Sequence, residues 1–193
     1  MGATAGLAVA APLMAVIAVA LWFESGRPVL FLQPRLGLRG RPFLIYKFRK
    51  FRPDEDPNGL GVTLAGDGRM TRVGTVLERT KLDELPQLLN VLRGEMSLVG
   101  ARPESMVFAD LFAGPYLKLL DFTPGLFGPS QCHAIDEGEH YPPGVDPEQH
   151  YRDRLFAAKA DVDLAYYPRA TWRSDLAWTV RCVGVAVRRS IRS

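Results

Sequence analysis

Cysteine and histidine are scarce in this chain, with two of the first and three of the second among 193 residues. Cys132 and Cys182 stand far apart, and His133, His140 and His150 show no metal-ligand spacing. This excludes a disulfide framework and a zinc site, and it reads as two reduced thiols in a cytosolic domain. No internal repeat or low-complexity segment is visible. The Pro/Gly/Asp-rich loop 53–68 contains Gly59-Leu60-Gly61, but no strand leads into it and no clear helix follows. Neither a dinucleotide-binding fold nor a phosphate-cradling P-loop is supported. Charge is missing altogether from residues 2–23, GATAGLAVAAPLMAVIAVALWF.

An apolar run of about 18 residues or more is a membrane-helix candidate. This one has neither the basic start nor the cleavage site of a secretory signal, so it is expected to stay attached and enter the bilayer. Pro12 interrupts it. Proline removes one backbone hydrogen bond and its ring clashes with the preceding turn. A kinked spanning helix and a re-entrant helix that leaves through the leaflet it entered are both open. The ten or so residues on either side of Pro12 rise about 15 Å each, roughly half the hydrocarbon thickness.

What the apolar run lacks, the next thirty residues supply: Arg27, Arg35, Arg39, Arg41, Lys47, Arg49, Lys50 and Arg52. The net charge of +3 and this cluster point to anionic partners. Basic residues beside a membrane segment favour the cytoplasmic side and anionic headgroups. The membrane segment accounts for the cluster without nucleic acid, which is not expected as a partner. Between the charges, PVLFLQ (28–33) and PFLIYKFRKF (42–51) read as a β-hairpin. Alternation puts Lys47 and Arg49 on one face, either solvated or a cationic wall toward phosphate.

RTKLDELPQLLNVLRGEMSLVGARPE (79–104) is the densest stretch. Leu85, Leu88, Leu89 and Leu92 form one apolar helical face. Asp83 fits the N-cap, Pro86 the first turn and Gly94 the C-terminal cap. Asp83 and Glu84 thus sit at the positive end of a short helix, where free amides favour carboxylates and phosphates. They are either a cap with a first-turn acid or a reactive pair. Flanking Arg79, Lys81 and the Arg102-Pro103 loop weaken the cap-only reading, because an ionised carboxylate beside cations is what covalent phosphoryl chemistry needs. Paired acids also suit magnesium.

The stretches QPRLG (33–37), YKFR (46–49), DGRMTRVG (67–74), LDELPQLLNVLRGEMSLVGARPE (82–104), TPGLFGPSQ (123–131) and LAYYPRATWRSDL (164–176) resemble the bacterial sugar transferases. The resemblance is to their small, monotopic polyprenyl-phosphate phosphoglycosyl transferases, and it runs from Ala11-Pro12 onward. It implies transfer of a sugar-1-phosphate from a UDP-sugar to a polyprenyl phosphate, usually undecaprenyl phosphate, with Mg2+ and with UMP leaving, as the first membrane step of exopolysaccharide or glycoconjugate assembly. Asp83 would be the nucleophile, forming a covalent phosphosugar. Glu84 would assist the acceptor or, with Asp83, hold the metal. Arg102 and Pro103 would bind the nucleotide, with Lys47, Arg49 and Arg79 as further phosphate contacts. A catalytically weakened scaffold and a magnesium-dependent phosphohydrolase remain alternatives. Glu78 stands where an arginine is usual, Ala101 replaces the first proline of a Pro-Arg-Pro loop, and Pro129 replaces a tryptophan of one branch. The basic segment that usually precedes the apolar helix is absent.

The expected fold is α+β and mostly helical. Residues 1–24 form a Pro-broken re-entrant membrane helix, and 25–193 a compact catalytic domain on the cytoplasmic face of the inner membrane. It contains a small β-hairpin and interfacial amphipathic helices. Residues 103–120 and 146–167 have helical character, and 171–193 read as a basic amphipathic helix lying in the interface or packed with a solvated tail. Besides the UDP-sugar, the polyprenyl phosphate and the membrane, a second copy or other glycan-assembly enzymes are the partners to expect.

Overall fold

The computed structural model describes residues 2–53, 68–133, 141–142 and 144–192. Gly59-Leu60-Gly61 and His140 lie outside them. The fold is mostly helical α+β.

An uncharged run satisfies its backbone as helix, and α1 spans Gly2–Ser25, with Pro12 inside it. Gly6–Ser25 is long and apolar enough to cross a membrane. One stripe of α1 packs on the rest of the protein along its length. Leu7 and Ala10 join Ile45, Leu88, Met96 and Leu126. Met14, Ile17, Ala18 and Leu21 join Phe48 and Leu77. The other face leaves Val9, Val16, Val19, Trp22 and Phe23 exposed.

The hairpin forms with shifted ends. β1 (Leu30–Leu36) pairs antiparallel with β2 (Pro42–Phe48), from Leu30 opposite Phe48 to Leu36 opposite Pro42. The first strand runs past the expected end, through Pro34, which a two-stranded sheet tolerates on its open edge. The second stops early, because the chain beyond Phe48 leaves the hairpin. The Lys50 carbonyl accepts from the Thr71 N–H at 2.9 Å, and Phe51 bridges to Met70.

Helix α2 (Arg72–Thr80) starts there, capped by the Thr71 hydroxyl on the Gly74 N–H. Glu24, at the end of α1, adds its carboxylate to the N–H groups of Arg72 and Val73. A 3-10 turn, Leu82–Glu84, follows, and then α3 (Gln87–Leu92). Asp83 is therefore not the cap of α3. It lies inside the preceding turn, while Pro86 stands at the helix start without a side-chain cap.

The leucine face is also corrected. Leu88 is buried, but Leu92 is 44% exposed, and the polar Gln87 and Asn90 go inside. Asn90 accepts from the Tyr46 N–H at 3.1 Å and donates to the Leu44 carbonyl at 2.7 Å. It thereby satisfies two edge groups of β2 that would otherwise be buried without partners. Gly94, at φ +74°, ends the helix as expected.

Two three-residue strands, β3 (Ser97–Val99) and β4 (Gly125–Phe127), pair in parallel. The crossing is so close that a Cβ on Gly125 would lie 2.0 Å from the Gly100 nitrogen. Gly125→Ala is expected to cost about 3 kcal/mol, as overpacking does, and to lower Tm by roughly 6–12 °C. Thermal unfolding of the purified variant checks this, and an unchanged Tm would contradict so tight a contact.

The C-terminal half is helical where its pattern suggested. Residues 103–120 hold two 3-10 segments, Met106–Leu111 and Gly114–Asp121. Helices α5 (Pro147–His150) and α6 (Phe156–Tyr166) are joined by a π-turn, Tyr151–Leu155. They close a core of Phe108, Leu119, Tyr151, Phe156 and Ala160. Helix α7 (Trp172–Arg192) packs on α2, α4 (Pro129–His133) and both short strands. Its outer side carries Trp172, Leu176, Val180, Val183 and Val187, all exposed at helical spacing. On its inner side Cys182 meets Cys132. Both are free and buried, and burial pushes the Cys182 thiol up to about 12.

Candidate active site

The turn Leu82–Glu84 delivers its two acids to different partners. The αL conformation of Lys81, φ 59°, reverses the chain between α2 and the turn. Asp83 points inward and is 2% exposed. Its Oδ2 lies 3.6 Å from the Lys50 ammonium, and its buried Oδ1 accepts no hydrogen bond. Glu84 Oε1 accepts from Lys47 at 2.8 Å and from Arg102 at 3.2 Å.

Each cation comes from a different element. Lys47 stands near the end of β2, which Asn90 fastens to α3. Arg102 follows β3 and is anchored on both sides. The Ala101 carbonyl accepts from the Gly125 N–H at 2.8 Å, and the Glu104 carbonyl from the Leu36 N–H at 2.9 Å. The buried Pro103 offers its carbonyl to Arg35 at 3.5 Å. Behind Arg102, Glu104 accepts from Tyr151 at 2.6 Å and pairs with Lys159 at 3.5 Å. A cleft lined by Arg102, Glu104, Lys159, Ser130 and Asp163 lies there.

The electrostatics follow from burial and pairing. Burial alone would raise Glu84, but Lys47 and Arg102 outweigh it and hold the carboxyl well below its usual range. Burial presses the Lys47 ammonium down to about 8, although Glu84 partly offsets this. Arg35 is lowered to about 10, first by burial and then by Arg102. Burial likewise works against Glu104, but Lys159 and the Tyr151 hydroxyl hold its carboxyl below its ordinary value. Burial raises Asp163 to about 6 despite two hydrogen bonds from Ser130. Lys47, Lys50, Arg35, Arg102 and Lys159 therefore face Asp83, Glu84 and Glu104 with positive charge in excess. Such a site suits an anion with more than one charge.

Of the residues singled out from sequence, Asp83, Glu84, Lys47, Arg102 and Pro103 come together. Arg49 and Arg79 do not join them. Arg49 lies beyond the end of β2 and turns to α1, where it donates to the Ser25 carbonyl at 2.9 Å, the Ser25 hydroxyl at 2.7 Å and the Gly26 carbonyl at 3.1 Å. It satisfies carbonyls at the end of α1 instead of facing a phosphate. Arg79 is exposed on α2 and pairs with neither acid. Sequence reasoning missed Lys50 and Arg35. Lys50 belonged to the basic cluster, but strand alternation put Lys47 and Arg49 on a face and left Lys50 off it.

Magnesium is judged by the donors present. Among the described residues, no group of three or more His, Cys, Asp and Glu side chains is placed to hold a metal ion. Asp83 Oδ1 is buried without a partner, and Glu84 is the next residue. Magnesium keeps waters and binds substrate phosphates with as few as one protein carboxylate, so the Glu84 carboxylate fits.

The bacterial sugar transferase model matches residues 1–189. The UDP-glucose:undecaprenyl-phosphate glucose-1-phosphate transferase of Caulobacter vibrioides is 44% identical over 131 residues, covering 66% of this chain and 49% of that protein. The UDP-N-acetylgalactosamine-undecaprenyl-phosphate N-acetylgalactosaminephosphotransferase of Aeromonas hydrophila is 48% identical over 101 residues, 52% of this chain and 24% of its own. The exopolysaccharide production protein PSS of Rhizobium leguminosarum is 46% identical over 137 residues, 67% of this chain and 68% of its own. The chain thus spans half or less of the first two relatives' length. With the family model covering nearly every residue, and the acid pair set among cations on a body that carries an apolar helix, the chain belongs to the bacterial sugar transferase family.

Proposed function

We propose that the chain is a phosphoglycosyl transferase that moves a sugar-1-phosphate from a UDP-sugar to a polyprenyl phosphate, in the manner of undecaprenyl-phosphate transferases. The observation that carries this reading is Asp83, a buried carboxylate with one oxygen tied to a cation and the other without a partner. In the first half-reaction an Asp83 oxygen attacks the β-phosphorus of the UDP-sugar. The bond from that phosphorus to the bridging oxygen breaks, and UMP leaves with its electron pair. In the second, a phosphate oxygen of the lipid attacks the same phosphorus, and the Asp83 carboxylate is released. Lys47 and Arg102, already oriented by Glu84, offset charge on the diphosphate. Glu84 would hold magnesium, leaving Asp83 for the attack, and the ion's contribution would be to neutralise phosphate oxygens.

The exposed apolar faces of α1 and α7 support a body seated on the membrane, with α2 touching both helices. Arg173, Arg181 and Arg188 on α7 suit anionic headgroups. In this reading α1 is re-entrant and the body lies on the cytoplasmic face, where a lipid phosphate can reach the site.

The test is UMP release by the purified protein from a panel of UDP-sugars, with magnesium and undecaprenyl phosphate, and the mass of the lipid product. A lipid-linked phosphosugar supports the reading. UMP formed equally without lipid, with free sugar phosphate as product, would make the chain a hydrolase. No turnover with any UDP-sugar would remove the transferase reading.

The Lys47 ammonium sets a pH limit. Its protonation falls away as pH rises through about 8, which leaves Arg102 as the remaining cation on Glu84. The value of kcat/KM is expected to decline above that pH, since kcat/KM reports groups of the free enzyme. Lys47→Arg, which stays charged, should move the decline upward. A parent and a variant with the same alkaline limb would show that this charge is not used.

A further inference from the structure

The two oxygens of Asp83 are not equivalent. Oδ2 faces the Lys50 ammonium at 3.6 Å, and Oδ1 is buried without a partner. Lys50 is itself held firmly. Its carbonyl accepts from the Thr71 N–H at 2.9 Å, and α2 approaches so closely that a Cβ on Gly74 would lie 2.1 Å from that carbonyl oxygen. Its side chain is 14% exposed. Other basic residues nearby are engaged elsewhere or point away. Lys81 pairs with Glu78 at 3.0 Å, Lys47 and Arg102 with Glu84, and Arg79 is exposed. Glu78 is an acid where the resembling family usually has an arginine, so helix α2 brings no cation from that position.

The geometry points to Lys50 as the positioning residue of Asp83, which fixes the carboxylate so that Oδ1 is the attacking atom and Oδ2 the retained one. This rests on the aspartyl reading above. When Oδ1 bonds to phosphorus, Oδ2 becomes the carbonyl oxygen of the mixed anhydride, with the ammonium beside it. When the lipid phosphate displaces the aspartyl group, the Oδ1–phosphorus bond breaks and its electron pair returns to the carboxylate. Lys50 faces the oxygen on which much of that charge settles, so it assists departure of Asp83 as well as its orientation. No proton need move at Lys50 in either step.

The test separates the half-reactions by rapid quench. UMP release without lipid reports formation of the phosphosugar, and lipid-dependent decay of the loaded enzyme reports its transfer. Lys50→Met is expected to lower kcat about 100-fold, the loss typical of one electrostatic donor, with the KM for UDP-sugar changed by no more than about 3-fold. Decay of the loaded enzyme should slow along with its formation. Lys50→Arg should recover activity to within about 10-fold of the parent, because it restores the charge but not the geometry. Lys50→Gln, polar but uncharged, serves if Lys50→Met does not fold, and the same loss of kcat is expected. A Lys50→Met or Lys50→Gln enzyme within about 3-fold of the parent would overturn the assignment, as would a loss appearing only in KM. Asp83→Asn run beside them keeps the two readings apart. An active Asp83→Asn refutes the aspartyl intermediate itself, whereas an inactive one with active Lys50 variants refutes Lys50 alone.

Discussion

Asp83→Asn should reduce UMP release by about 1000-fold or more, because the amide has no anionic oxygen to attack phosphorus. The size and shape of the side chain are kept, so the turn Leu82–Glu84 should still form. Capping does not enter this argument, since Asp83 caps no helix. The amide oxygen will turn toward Lys50, placing the amide nitrogen at the buried position where Oδ1 has no partner. An unpaired buried donor costs about 1–3 kcal/mol, so Tm should fall by several degrees without loss of fold. Intact mass after mixing with UDP-sugar gives the sharper readout. The parent should gain the mass of one phosphosugar, and the variant none. Turnover near the parental rate in Asp83→Asn would defeat the nucleophile assignment, whatever the family likeness.

The features legible in the sequence were those set by local pattern. The apolar run, the hairpin between two charged stretches, Gly94 at a helix end and the acid pair next to Pro86 all depend on neighbours a few residues away. Lys50 depends on something else. Strand alternation holds only as long as the strand, and β2 ends at Phe48 because the following backbone pairs with Thr71 and Met70. Period-2 alternation no longer applies beyond Phe48. It put Arg49 on the phosphate face and left Lys50 off it. Asn90 shows the same limit from the other side. A leucine ladder suggested which face of α3 is buried, yet two edge groups of β2 required a buried amide there. Strands of three residues, such as β3 and β4, carry no periodicity to read. What marks them is the glycine on each side of the crossing, Gly100 and Gly125. The family likeness supplied the roles of Asp83 and Arg102. Only the fold distinguishes the cation at Asp83 from the cations at Glu84.

A cysteine introduced at Thr4 should escape an impermeant maleimide added to intact cells and react fully once the cells are opened. Along a straight helix, Gly6 and Ser25 are about 28 Å apart, close to the hydrocarbon thickness. If α1 stood upright through the bilayer, Gly6 would reach the far side. Yet a Cβ on Gly6 would lie 3.9 Å from Leu88, and Leu7 and Ala10 pack with Ile45, Leu88 and Met96. Those partners belong to α3, β2 and the segment after α3; β2 also carries Lys47, and α3 follows directly on the turn that holds the acid pair. An upright α1 would take them into the hydrocarbon, together with Arg93 and Glu95, at several kcal/mol for each charge. Lying along the body, α1 would keep that stripe packed and turn the exposed Val9, Val16, Trp22 and Phe23 to the lipid. Both ends would then stay on the side of the basic residues that follow Phe23, which the positive-inside rule makes the cytoplasmic one. The native thiols add little background, because Cys132 and Cys182 are both buried. Labelling of the Thr4→Cys protein from outside intact cells would mean that α1 spans the bilayer and has left its groove on the body.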